Sequence, residues 1–258
     1  MMDITLTQGL LLSLVAFICG VDANWEAFYI FRPIVSAFFA GVVLGDVQLG
    51  LQAGAIAELA YLGLTTIGGT VPPNPLVAGI MTVVISYTTG ETPEAALGLS
   101  LPFALLMQWI AMFYNTWFAT FLPRLDRLAE KAETKKFSQI VLSGTIIIGV
   151  TYAIVIFLSS YALQAPIAKF VNSFPQWLIH GFEIAGALLP GVGLAVLLRS
   201  MLNIKNAAYL IFGFLMSTFL PLDGNILPVA LAAIGIGLLI YINDSSKEKG
   251  AVDSDDGI

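Results

Sequence analysis

The sequence is short of charge and of reactive side chains. Of its 258 residues only 11% are Asp, Glu, Lys or Arg, under half the share usual in a soluble domain, which excludes an ordinary water-exposed surface. There is one cysteine, Cys19, and one histidine, His180. A single cysteine excludes an internal disulfide, and neither residue has the thiol or imidazole companions of a metal set. Cys19 reads as a small apolar filler. No P-loop or dinucleotide fingerprint occurs, which removes the usual means of holding ATP or NAD, and no G-x-S-x-G elbow pairs a serine with His180. No catalytic residue, metal ligand or cofactor is expected on this chain. The net charge of -6 comes partly from Asp253, Asp255 and Asp256 at the acidic end and argues against a nucleic-acid partner. The opening MMDITLTQGLLLSLVAFICGV lacks a basic start and an A-x-A cleavage site, so it reads as a retained membrane segment.

What the chain has instead is 58% hydrophobic residues, divided by glycine and proline. The expected fold is an all-α polytopic membrane protein, with transmembrane helices and broken or re-entrant helical hairpins. Ile4 to Val21 is just long enough to approach the roughly 30 Å hydrocarbon core. Pro33–Gly45 and Val47–Ala57 are each too short to span alone. Leu97–Leu122 reads as a long helix interrupted by Pro102 and ended by Pro123, and Ile140–Leu163 as a clear span. Ala165–Gln176 reads as a loop, with Trp177 as an interface anchor. Ile184–Leu198 follows Glu183, and Ala207–Leu220 with Ile226–Asn243 flanks the turn signal PLDGN. The one dense charged run, RLDRLAEKAETKK at 124–136, marks the cytoplasmic side, since no other loop carries as many Lys and Arg. One membrane domain over 1–243 and a cytoplasmic, disordered acidic tail over 244–258 are expected.

The stretch from Gly41 to Gly79 organises the rest. It sets Asp46 and Glu58 within apolar sequence, then breaks into a turn from Thr65 to Asn74 punctuated by Gly68, Gly69, Pro72 and Pro73. Non-helical backbone inside a bilayer survives only where protein encloses it or where it lines a wet cavity, and charges there pair with one another or face a substrate path. Two half-helices meeting at such a break are a pointer to a transporter substrate site. Asp22, Trp25 and Glu26 form a second polar knot just upstream, readable either as an interfacial loop or as pore-facing. Carboxylates and amides beside aromatics suit a sugar, although protons, cations or a polyol would use the same groups. The candidate substrate residues are Asp22, Trp25, Glu26, Glu58, Thr66, Gly68, Gly69, Thr70 and Asn74, within the region 22–79. For Glu58 two readings stand open: a carboxylate accepting from sugar hydroxyls, or an internal ion pair with Arg32.

The residues FRPIVSAFFAGVVLGDVQLGLQAGAIAELAYLGLTTIGGTVPPNP closely resemble the IIC membrane subunit of the mannose family of the bacterial phosphoenolpyruvate-dependent sugar phosphotransferase system (PTS). The pattern falls on Arg32-Pro33, Leu44-Gly45-Asp46, Glu58, Leu62-Gly63, Ile67-Gly68-Gly69 and Pro73-Asn74, and the likeness extends to HGFEIAGALLPGVG near residue 180. Within the family the chain is most similar to the N-acetylgalactosamine and galactosamine members. The resemblance implies an inner-membrane sugar permease that pairs with a IID subunit, assembles as a trimer of IIC–IID units, and delivers sugar to a cytoplasmic IIB, itself supplied by IIA. It implies no phosphoryl-transfer residue on this chain. Mannose members carry asparagine where Thr66 stands and aspartate where Asn74 stands. A IIC for mannose or another hexose, and an autonomous ion-coupled transporter, are the alternatives.

Overall fold

The computed structural model describes residues 3–64, 72–162, 164–204, 206–220 and 227–252, and among these the only regular structure is helical. Two compact units are present, 1–200 and 201–258. Four helices among the described residues are long and apolar enough to cross a bilayer: Leu6–Trp25, Pro93–Ala119, Thr134–Ala162 and Gln176–Met201. Several others are apolar but short, as the spacing of Gly and Pro predicts.

In the first unit, α1 (Leu6–Trp25) starts from a reciprocal cap in which Thr5 and Gln8 satisfy each other's backbone amides. The pair α2 (Pro33–Leu44) and α3 (Val47–Tyr61) forms a tight hairpin. Its tip turns at Gly45, where φ is +84°, a conformation glycine adopts without steric penalty. Asp46 then caps α3 by accepting from the Leu49 amide at 2.9 Å, which explains one of the two carboxylates in this apolar stretch. Gly41 and Gly50 let the two backbones touch: a Cβ built on Gly41 would lie 2.7 Å from the Gly50 Cα. At 12 and 15 residues, these helices are about 18 and 22 Å long, less than a hydrocarbon core.

The centre of the unit is α4 (Pro75–Thr89), with 13 of its 15 residues buried. It packs against α2, α3 and α5 (Pro93–Ala119). Its hydroxyls stay satisfied inside the helix, as when Thr82 donates to the Ala78 carbonyl at 2.7 Å. The expected interruption at Pro102 does not break α5, which runs through it; membrane helices tolerate proline because neighbours satisfy the freed carbonyl. The amphipathic α6 (Leu122–Glu130) carries the first half of the charged run, whose last residues open α7 (Thr134–Phe157), and α7 extends through a π-helical turn at Leu158–Ala162.

One sequence expectation is corrected here. Ala165–Gln176, read as a loop, is largely helix: α8 (Gln164–Asn172) packs against α4. Gln164 binds both the amide and the carbonyl of Ile4, at 2.8 and 3.0 Å. This long-range bridge supplies order that local composition does not advertise. The next helix, α9 (Gln176–Met201), passes unbroken through Pro190. Its Gly186 and Gly193 lie against the backbone of Glu94 and of Leu59–Ala60. Small residues seven apart on one face permit that approach.

In the second unit, α10 (Ala207–Phe219) and α11 (Leu227–Val252) pack against each other around an apolar cleft of about 250 Å³. Helical backbone continues past Asn243, where the apolar sequence ends, as far as Val252.

Polar groups at the ends of four helices

Helix α1 runs antiparallel to α7. Gly9 lies under the Tyr161 ring and Gly20 under Tyr152, Phe17 and Val21 press on Gly149, and the α1 C-terminus meets Thr145. From Thr134 to Ala162 the span is 29 residues, about 43 Å at 1.5 Å per residue. Thr145 and Tyr152 flank its midpoint. Every polar group that binds to these two residues is therefore held near mid-span.

The end of α1 and the start of α4 are held at that level by Thr145 and Tyr152. Asp22, in the last turn of α1, is buried at 5% exposure. Its two carboxylate oxygens accept from the amides of Phe28 (2.8 Å) and Ile30 (2.7 Å). Two non-glycine residues in this turn, Glu26 (φ 49°) and Tyr29 (φ 58°), adopt left-handed backbone, which costs roughly 1–2 kcal/mol apiece. Hydrogen bonds to a charged acceptor, at about 1.5–3 kcal/mol each, offset that strain. The Asp22 carboxylate thus shapes the turn that delivers the chain to Arg32 and Pro33. Trp25 donates its indole N–H to Thr145 Oγ1 at 2.8 Å, while Asn24 donates to the same oxygen at 3.2 Å. The Trp25 ring remains half exposed, and Glu26 is exposed.

At the base of the hairpin, Arg32 Nε donates to Glu58 Oε1 at 2.8 Å, and Arg32 Nη2 bonds to the same oxygen. The other oxygen, Oε2, accepts from the Ile34 amide at 3.3 Å. Arg32 stands at the N-cap of α2 with no side-chain cap of its own. Glu58 supplies the missing acceptor from across the hairpin, where the helix N-terminus favours negative charge. The pair is partly exposed, 29% for Arg32 and 17% for Glu58. Of the two readings left open by the sequence, the ion pair is the one formed in this structure; a side of the carboxylate still meets open space.

Asn74 ties three helices together. Its Oδ1 caps α4 by accepting from the Val77 amide (3.1 Å), its Nδ2 donates to the Tyr152 hydroxyl (2.6 Å), and its backbone amide donates to the Ala104 carbonyl of α5 (3.1 Å). Thr66, Gly68, Gly69 and Thr70 lie outside the described residues. Tyr61, at the end of α3, buries a hydroxyl with no partner among the described residues. Sequence reasoning missed Tyr152 and Thr145, which hold these helix ends from more than seventy residues away and carry no local motif. His180 pairs with Glu183 at 3.1 Å on the exposed surface of α9.

A bundle of spanning and half-length helices, with polar groups where α1 ends and the short helices begin and end, defines a multi-pass membrane protein of the transporter type. The chain belongs to the sorbose-specific IIC component family of the PTS, whose profile matches residues 6–240. It is 41% identical to the N-acetylgalactosamine permease IIC component 1 of Escherichia coli K12, over 96% of this chain and 93% of that one. It is also 27% identical to the mannose-specific EIIC component of the same organism, over 95% and 92% respectively. Among solved structures, a chain described as a membrane protein superposes with TM-score 0.82 at 26% identity, covering 93% of this chain and 97% of the other. A chain from the cryo-electron microscopy structure of the mannose transporter ManYZ with microcin E492 gives TM-score 0.59 at 26% identity, covering 94% and 97%.

Proposed function

We propose that this chain is the sugar-translocating IIC subunit of a mannose-family PTS in the bacterial inner membrane. Its substrate is N-acetylgalactosamine or galactosamine. A IID membrane subunit completes the translocation unit, three IIC–IID units assemble together, and a cytoplasmic IIB, recharged by IIA, phosphorylates the arriving sugar. The observations that carry this reading are the polar helix ends: Trp25 and Asn74 bonded to the middle of the Thr134–Ala162 helix, and the Arg32–Glu58 pair at the base of the α2–α3 hairpin. The similarity to an N-acetylgalactosamine permease over nearly the whole chain supplies the sugar.

Within the site, Glu58 accepts from sugar hydroxyls on the side not used by Arg32 and Ile34, and Arg32 holds it in place. The Trp25 face, anchored through Thr145, stacks on sugar C–H surfaces. Glu26 reaches the same side from its exposed turn, and Asp22 acts by fixing that turn. Asn74 and the segment containing Thr66, Gly68, Gly69 and Thr70 contribute amide and hydroxyl groups to the acetamido end. IID provides a facing surface. The charged segment at 124–136 lies on the cytoplasmic side.

Uptake into vesicles tests this. Sugar accumulation should require IID and the phosphorylated IIB, and should yield sugar phosphate. Uptake by vesicles holding this chain alone, driven by a proton or sodium gradient, would overturn it.

A further inference from the structure

We propose that the space beyond the C-terminal end of α1, walled by α5, α6 and α7, is a basic-mouthed aqueous vestibule joining the mid-span polar groups to the face that carries α6. The neutral sugar passes from the site at the helix ends across its floor; that ligand rests on the function proposed above, whereas the vestibule does not.

The space exists because the helices differ in reach. Helix α1 stops at Trp25 against Thr145, but α7 continues back to Thr134, about 16 Å further. Helix α5 runs on to Ala119 and α6 closes the corner. The gap they leave is three clefts in series. The deepest, about 140 Å³, is lined by Tyr152, Asn24 and Asn115. The next, about 310 Å³, shares Asn24 and Asn115 and adds Thr145. The outermost, about 400 Å³, opens at Arg124, Lys136 and Gln139 and adjoins the second at Ile140.

The chemistry changes along this track. Its floor offers amides and hydroxyls among apolar walls, with Tyr152 also receiving the Asn74 amide. That is the composition of a pocket for a small neutral polar ligand, and the middle cleft alone reaches the size of such sites. Amides facing hydrocarbon would be costly, so a wet surface is their natural setting. No carboxylate lines any of the three clefts. The mouth has two cations, of which Lys136 is shared with Glu133 at 2.6 Å; Lys136 in turn holds the Glu133 carboxyl below the usual carboxylate range. A cationic mouth over a neutral floor draws an anion to the opening while leaving the floor to an uncharged solute.

Thiol accessibility in the assembled complex tests this. In a Cys19→Ala background, Asn115→Cys, Gln139→Cys and the outward-facing Ile146→Cys are placed singly, with the full chain and its IID partner in membrane vesicles of known orientation. Membrane-impermeant methanethiosulfonates are added to the α6 side or to the opposite side. Cysteines at 115 and 139 should label from the α6 side only, and that at 146 from neither. The anionic reagent should react about tenfold faster than the cationic one, a preference lost in Arg124→Gln/Lys136→Gln. N-acetylgalactosamine should slow labelling at 115 and leave 139 unchanged. If position 115 labels only after the partner is stripped away, the cleft is a subunit seam and the vestibule is wrong. If the sugar raises the melting temperature of the complex but 115 never labels, the vestibule fails and the proposed function stands. Labelling as described, with neither protection nor a melting shift from the sugar, overturns the ligand assignment and the proposed substrate together.

Discussion

Asn74 donates its side-chain amide to the hydroxyl of Tyr152 at 2.6 Å while its oxygen caps α4. One residue thereby fixes the start of the most buried helix to the middle of the longest. Asn74→Ala removes both interactions and should destabilise the complex by about 2–3 kcal/mol, the sum of a cap and a hydrogen bond to a buried hydroxyl. Asn74→Asp keeps the cap and can accept from Tyr152, so its melting temperature should stay close to that of the parent. Thermal unfolding of the purified complex separates the two variants. In binding, Asn74→Asp should weaken N-acetylgalactosamine more than galactose; equal losses would remove Asn74 from selection of the acetamido group.

Asp22 makes a second, separable prediction. Its two oxygens hold the amides of Phe28 and Ile30, and Asn can accept at only one of those positions. Asp22→Asn should cost about 2 kcal/mol and loosen the turn containing Phe28, which is 81% exposed. Limited proteolysis should then cut between Glu26 and Arg32 faster than in the parent. Unchanged cleavage together with lost sugar binding would mean that Asp22 touches the sugar directly.

The broken helices were legible in the sequence because glycine and proline act locally: Gly45, Asp46 and Pro75 sit at helix ends where the residue pattern puts them. So was the crowding of charge around 22–58. What the sequence could not specify was partnership. The Arg32–Glu58 pair was legible as one of two readings of Glu58, but the pairing of Asn74 with Tyr152, 78 positions apart, was not; such a pair depends on how helices stack, for which hydropathy carries no code. Asp22 left a readable sign, an acidic residue just before a turn with unpaired amides. Helix α8 was missed for the same reason as Tyr152, since Gln164 gains its order from Ile4 at the other end of the unit. Pro102 shows the opposite error, a strong local signal overridden by surrounding helices.

The Arg32–Glu58 pair should show coupling in a double-mutant cycle. Arg32→Gln leaves Glu58 charged without its partner, and Glu58→Gln does the reverse. Each should destabilise by about 1–3 kcal/mol, and the double variant by less than their sum, because neither leaves a lone charge. Sugar binding gives the second readout. Glu58→Gln should abolish it while the complex still assembles. Failure to assemble, with normal binding by the surviving molecules, would reduce Glu58 to a structural role.

The hairpin glycines offer a packing test with an internal control. A methyl group on Gly41 would meet the Asp46 carbonyl and the Gly50 Cα, both backbone, at 2.7 Å, whereas one on Gly181 meets nothing within 4 Å. Gly41→Ala should cost about 1–3 kcal/mol from overpacking, and Gly181→Ala, inside a helix with open space at its Cβ, should leave the melting temperature unchanged or slightly raised. Equal behaviour of the two would contradict the close α2–α3 contact.

The central claim, an amino-sugar site in a IIC subunit, is tested most directly by competition. Labelled N-acetylgalactosamine is bound to the assembled complex and challenged with unlabelled N-acetylgalactosamine, galactosamine, galactose, N-acetylglucosamine and mannose. A site that bonds an amide rejects the analogue lacking it, because buried polar groups are then left unpaired. N-acetylgalactosamine should therefore displace the label at far lower concentrations than mannose, with galactosamine, which lacks the acetyl group, between them. Displacement by mannose as effective as that by N-acetylgalactosamine would contradict the account.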